Sequence, residues 1–199
     1  MNEKDVTRIL EDSQALLTGH FKLSSGRHSR NYMQCAKALQ HPDRAEQLGR
    51  ALAEKCRDAL LKQGRKIDVV ASPAVGGLIL GHEVARALGV RHVFSERDVP
   101  GMVLRRGFTL RDGENVLLVD DVLTTGGSFN ELTELVRSWK ARVAGLACLV
   151  QRGKDAPSFP APHFALLTVD LENYDPTQCP LCREGKPVEK PGSRPEGRT

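Results

Sequence analysis

An alternation that sets in near residue 67 constrains the fold most: short apolar runs, each followed by a stretch of helical periodicity or a polar connection. The apolar runs are IDVVAS (67–72), VRHVFS (90–95), VLLV (116–119), VAGLACLV (143–150) and FALLTV (164–169). GGLILGHEVARALG (76–89) and SFNELTELVRSWK (128–140) lie between them and read as amphipathic helices. Strands that are apolar at nearly every position must be covered on both faces. A mostly parallel sheet flanked by helices does this, and the helices supply the crossovers that parallel strands require. The expected class is therefore α/β.

The first 40 residues do not share that pattern. Val6, Ile9, Leu10, Leu16 and Leu17 fall roughly at helical spacing, which predicts a first helix stopping near Gly19. HFKLSSGRHSRNYMQC (20–35) is polar with alternating apolar positions and reads as a small hood beside the main body. Pro42 opens a helix whose apolar face is Ala45, Leu48, Leu52, Cys56 and Leu60, with Gly64 suited to a left-handed cap. Between Arg97 and Glu114, MVL and FTL flank RRG, which predicts a flap hairpin. The expected organisation is one domain over 1–182, with a hood over about 1–40 and a core over about 41–182. Residues 183–199 carry almost no apolar side chains and are expected to be disordered.

Composition narrows the function. With 199 residues, 40% hydrophobic, the chain can bury one substantial core. Its net charge of +4 is spread among interspersed acids and bases rather than gathered into a basic arm, and aromatics are only 5%. That argues against nucleic acid and suits a small anionic substrate. No apolar run is long enough to span a bilayer, and MNEKDVTRILEDSQALL lacks the apolar centre of a signal peptide. A soluble cytoplasmic protein with no membrane partner is expected. Its five cysteines then read as reduced thiols. Cys179 and Cys182 form a single C-x-x-C without visible partner ligands, and the six histidines show no ligand spacing. No zinc or redox role is expected, and no histidine is assigned chemistry.

VLLVDDVLTTGGS (116–128) carries the strongest chemical signal. Ligands of open α/β sheets bind at the carboxyl ends of the strands, where Asp120 and Asp121 would sit. Thr124, Thr125, Gly126, Gly127 and Ser128 then run into a helix. Small residues let backbone amides approach a phosphate, hydroxyls add donors, and the helix N-terminus favours negative charge. Two carboxylates there would repel a bare phosphate but could accept hydrogen bonds from the hydroxyls of a phosphorylated sugar, or meet a divalent cation. Neither common nucleotide-cradling glycine motif is present.

This stretch resembles the phosphoribosyl-pyrophosphate signature of the type I phosphoribosyltransferases. GHFKLSSGRHS, SPAVGGLILG and LVQRGKDA are similar to segments of the orotate phosphoribosyltransferases, as is the tail from YDPTQCPLC onward. The resemblance implies transfer of ribose 5-phosphate from phosphoribosyl pyrophosphate to orotate, giving orotidine monophosphate and pyrophosphate for pyrimidine synthesis. It implies magnesium, bound mainly through substrate and water with no direct protein ligand, and a homodimer with active sites at the interface. Asp120 and Asp121 would hold the ribose. Val122, Leu123, Thr124, Thr125, Gly126, Gly127 and Ser128 would cradle its phosphate, and Ala74, Val75, Gly76 and Arg97 would meet the pyrophosphate. Thr124 and Arg152 would contact orotate, with Tyr32 and Met33 covering its ring. The signature does not read the base, so a purine or other base, or a regulator that binds the sugar pyrophosphate without catalysis, stays open.

The chain also departs from that pattern. The family's mobile loop carries Lys-x-His, whereas RDVPGMVLRRGF has neither residue. Family lysines appear here as Ser24 and Gly76. Arg105 and Arg106 are the nearest catalytic replacements, with Arg97. Arginine can clamp phosphate oxygens but cannot donate its proton.

Overall fold

The structure, a computed structural model, describes residues 1–23, 25–99, 101–155, 157–170 and 172–191. Ser24 therefore lies outside the described residues, as do residues 192–199.

Helix α1 (Glu3–Asp12) begins with a reciprocal cap: Asn2 accepts from the Asp5 amide, and Asp5 accepts from that of Asn2. The helix ends sooner than its periodicity predicts. Gln14 takes a left-handed φ of 53°, and Leu16 and Leu17 belong to β1 (Leu16–Lys22). There they pair with Met33 and Tyr32 of β2 (His28–Met33). Two leucines at helical spacing also fit a strand, and tertiary pairing decided between them. After a short α2 (Ala36–Leu39), α3 (Pro42–Leu61) buries the expected face, and Gly64 at φ 67° follows its end.

The core consists of β3 (Val69–Pro73), α4 (Leu78–Leu88), β4 (Arg91–Arg97), β5 (Met102–Leu104), β6 (Asn115–Leu123), α5 (Gly127–Ser138), β7 (Arg142–Arg152) and β8 (His163–Val169). Its six strands are ordered β5-β4-β3-β6-β7-β8, all parallel except β5. Successive side chains of a strand point to opposite faces, and the buried residues divide accordingly. Val70, Leu117, Val119 and Leu149 pack with α1, α3 and α4. Val69, Leu118 and Leu146 pack with Phe129, Leu132 and Val136 of α5. The expected α/β class with a mostly parallel, doubly covered sheet is what forms.

Two expectations need correction. The flap hairpin does not join MVL to FTL: MVL is β5 and pairs back onto β4, Ser95 opposite Leu104 and Arg97 opposite Met102. The open edge of β4 offers unpaired backbone groups that MVL satisfies. FTL instead turns inward, with Leu110 buried and Phe108 edge-on to Phe94 at 5.0 Å. The tail is also held further than its composition suggests. After β9 (Asn173–Tyr174), a 3-10 turn and α6 (Pro180–Arg183), Glu189 bonds to the β1 backbone, donating to the His20 carbonyl and accepting from the Lys22 amide, both at 2.8 Å. Backbone pairing of this kind needs no apolar side chain, so hydropathy does not report it. Strands β1, β2 and β9 form the separate hood sheet. Among the described residues no helix is long and apolar enough to cross a membrane.

Candidate active site

From β3 the chain moves to β4 on one side; β6 then lies on the other side of β3. That reversal opens a crevice at the carboxyl ends of β3 and β6, the expected ligand position in such sheets. The segments following those ends are Ala74–Gly77 and Thr124–Ser128. Gly77 is required by the closeness of the two: a Cβ on it would stand 2.8 Å from the Val119 carbonyl oxygen. Gly76 faces the acids, since a Cβ there would lie 3.0–3.3 Å from the Asp121 carboxylate.

Strand β6 runs on through the acidic pair, with Asp120 opposite Cys148 and Val122 opposite Val150. The acids are thus fixed by the ladder. Asp120 is 6% exposed, and its Oδ1 accepts from the Asp121 amide at 2.9 Å. Burial first, then the neighbouring Asp121, raises the Asp120 carboxyl to about 8, and burial raises Asp121 too. Two desolvated acids side by side hold protons readily and would accept a ligand that brings hydroxyl donors or positive charge. Beyond them Gly126 adopts φ 81°, which suits glycine, and a Cβ there would meet the Phe159 ring at 3.0 Å. The loop thus enters α5 with small side chains only, while Thr124 and Thr125 are exposed.

The crevice brings together most of the residues predicted from sequence. Ala74, Gly76, Arg97, Asp120, Asp121, Val122 and Ser128 line one part. Leu123 through Gly127 line the adjoining part, which shares Arg97, Asp120, Val122 and Ser128. Arg97 is also held by Glu131 of α5 at 3.0 Å. Val75 is 83% exposed at the loop tip. Ser95 and Met102 line the crevice as well, with the Ser95 hydroxyl directed at the Met102 sulfur at 3.4 Å. Sequence reasoning missed both, because β4 and β5 carry no motif; only their place at a strand end marks them.

Other predicted residues are placed differently. Arg105 and Arg106 do not line the crevice: Arg105 is ion-paired with Asp98, while Arg106 pairs with Glu96 at 2.8 Å and lies over the Phe94 ring. Arg152 ends β7, next to the strand bearing the acids, one residue beyond the Leu123–Gln151 pairing. It is half-buried, burial lowers its pKa, and among the described residues its guanidinium has no hydrogen bond or ion pair. Tyr32 and Met33 are adjacent in an extended strand and so point to opposite faces. Met33 packs on the main core, whereas Tyr32 lies against Phe21, its hydroxyl donating to Gln34. The two therefore cannot cover the same ring together. Just after them Cys35 is buried; burial, then the Asp121 and Asp120 carboxylates, hold its thiol well above the usual range. The end of β2 thus comes close to the acidic pair.

A strand-end acidic pair, a glycine-hydroxyl loop into a helix and a facing glycine loop define a site for a phosphorylated sugar. The phosphoribosyl transferase domain model matches residues 36–162, and the chain belongs to that family. Within it the chain sits among the orotate phosphoribosyltransferases. It is 48% identical to the orotate phosphoribosyltransferase of Heliobacterium modesticaldum, over 98% of this chain and 100% of that one. It is 48% identical to that of Pelotomaculum thermopropionicum, over 98% and 99%. Among solved structures, the orotate phosphoribosyltransferase from Aeropyrum pernix superposes with a TM-score of 0.65 at 26% identity, covering 82% of this chain and 93% of that one. An adenine phosphoribosyltransferase from Thermoanaerobacter pseudethanolicus, at 20% identity and a TM-score of 0.61 over 80% of this chain and 99% of that one, shares the fold.

Proposed function

We propose that this protein is an orotate phosphoribosyltransferase of pyrimidine synthesis, converting orotate and phosphoribosyl pyrophosphate to orotidine monophosphate and pyrophosphate. The observation that carries the choice of base is Arg152. A half-buried guanidinium without a partner among the described residues, one strand from the acidic pair, is costly to desolvate unless an anion meets it. The orotate carboxylate is such an anion, and adenine and hypoxanthine lack one.

In the reaction a ring nitrogen of orotate bonds to the anomeric carbon as the carbon–oxygen bond to pyrophosphate breaks, the electron pair leaving with pyrophosphate and the proton of that nitrogen passing to pyrophosphate or solvent. Asp120 and Asp121 accept hydrogen bonds from the ribose hydroxyls, and the 124–128 loop holds the 5-phosphate. Ala74, Val75, Gly76 and Arg97 take the pyrophosphate end, while Thr124 and Arg152 orient orotate beneath Tyr32. These contacts stabilise an oxocarbenium-like state by positioning and fixed charge. Magnesium would be held mainly through the substrate and water, and would supply charge neutralisation at the pyrophosphate leaving group. Two adjacent acids whose carboxyl pKa values are raised are a poor cage for a hard cation, which fits an ion held mainly by substrate and water. The protein acts in the cytoplasm as a homodimer, as the family resemblance implies.

Side-by-side turnover of orotate, uracil, hypoxanthine and adenine with phosphoribosyl pyrophosphate and magnesium tests this. Orotate alone should be consumed rapidly. Preference for another base would reassign the substrate, and retained binding of the sugar pyrophosphate without any turnover would make the protein a regulator.

A further inference from the structure

Sequence spacing gave Cys179 and Cys182 no partners, yet the fold supplies two. His20 on β1 and His28 on β2 meet the C-x-x-C turn, and one ligand atom from each of the four residues lies within 4.8 Å of every other. We propose that these residues form a structural zinc site that fastens the C-terminal segment to the hood.

The geometry is that of a tetrahedral N2S2 set. With zinc–nitrogen bonds of about 2.0–2.1 Å and zinc–sulfur bonds of about 2.3 Å, the edges of a tetrahedron run from about 3.3 to 3.8 Å. His20 Nε2 lies 3.5 Å from Cys179 Sγ and 3.7 Å from Cys182 Sγ, and His28 Nδ1 lies 3.3 Å from Cys182 Sγ. The two ring nitrogens stand 2.9 Å apart, an edge that metal would widen by a few tenths of an ångström. The other nitrogen of His20 is 2.9 Å from the Lys186 carbonyl oxygen. A proton on Nδ1 donated there fixes the tautomer that leaves Nε2 free to ligate, the usual outer support of a zinc histidine.

His20, His28 and Cys179 are buried, no carboxylate belongs to the group, and four protein donors fill a tetrahedron. That is a closed site, structural rather than catalytic. The hood also needs such a staple. Its sheet has three strands, one of two residues, and so small a sheet buries little apolar surface of its own. The ligands join β1 and β2 to a turn about 150 residues further along the chain, beside the backbone bonds that hold Glu189 to β1. Gly185, at φ 68°, turns the chain back so that its amide and that of Lys186 bond to the Cys182 and Leu181 carbonyls.

The test uses the full chain purified without chelator. Elemental analysis should find one zinc per chain, and replacement by cobalt(II) should give the intense visible bands of a tetrahedral thiolate site. Cys182 is exposed and should react slowly with a thiol reagent until a strong chelator is added. Chelation should also lower Tm by several degrees and speed proteolysis in the hood. Cys179→Ser with Cys182→Ser should lose the metal. If that variant fails to fold, the cobalt spectrum and chelator-dependent reactivity of the wild-type chain still decide. Zinc well below one per chain with Cys182 freely reactive from the start, or a Cys179–Cys182 disulfide by intact mass, would overturn the proposal.

Discussion

Two polar clusters divide the labour of this molecule, and they are built in opposite ways. Asp120 and Asp121 are neighbours on one strand of the main sheet, followed at once by the loop they serve. His20, His28, Cys179 and Cys182 come from three separate elements and meet only when the hood closes on the C-terminal segment. The first cluster rests on a scaffold that apolar burial secures from both faces. The second supports a region with little apolar material, and there the polar groups themselves hold the structure. A cluster on a rigid core can be tuned for chemistry at the expense of local stability, whereas one in a small appendage serves stability itself.

The contrast is broken most decisively at the acidic pair. Asp120→Asn with Asp121→Asn should cut turnover by orders of magnitude while leaving the fold intact, as steady-state kinetics and circular dichroism would report. The pH dependence sharpens the point. The Asp120 carboxyl rises from 3.8 unfolded to about 8 folded, so between those values the folded state holds a proton the unfolded chain has released. Stability of the ligand-free protein should therefore fall as pH rises through that window. Asp120→Asn should flatten the fall and raise Tm near pH 8 by several degrees, at about 2–4 °C per kcal/mol for a chain of this size. An asparagine variant that unfolds would mean that the pair serves structure, as the hood cluster does.

A smaller effect is expected at the flap. The ion pairs of Arg105 and Arg106 are exposed, and such pairs are worth about 0–1 kcal/mol. Closure could therefore exchange them for pyrophosphate at little cost. Arg105→Ala with Arg106→Ala should lower the maximal rate about tenfold, or about 1.4 kcal/mol, with orotate affinity nearly unchanged. Higher salt should weaken the wild-type contribution. An unchanged rate would confine both arginines to the sheet edge and leave Arg97 as the cation at the pyrophosphate end.

How much of this was legible in the sequence follows the same division. The apolar runs of the core and the 116–128 segment encode their roles within a dozen residues, so periodicity and motif reasoning find them. Helix α3 and its glycine cap are equally local. The hood is not: Leu16 and Leu17 fit either a helix or a strand, and the choice falls to their partners Met33 and Tyr32. MVL and FTL are close in sequence, which predicts that they pair, whereas MVL pairs with the edge of β4 instead. The ligand partners of Cys179 and Cys182 lie more than 150 positions away, where no spacing rule reaches.

On the proposed function, a sugar-phosphate cradle on β6 and one arginine on β7 together make the site specific for orotate. Titration of orotate and of phosphoribosyl pyrophosphate onto wild-type protein and Arg152→Ala tests it most directly. A charge-assisted hydrogen bond to a carboxylate is worth about 1.5–3 kcal/mol, so orotate affinity should fall about tenfold to a hundredfold. Affinity for phosphoribosyl pyrophosphate should stay within about twofold, because its contacts lie on β6 and the loop after β3. Equal losses for both ligands, or none for orotate, would rule out Arg152 as the residue that selects orotate.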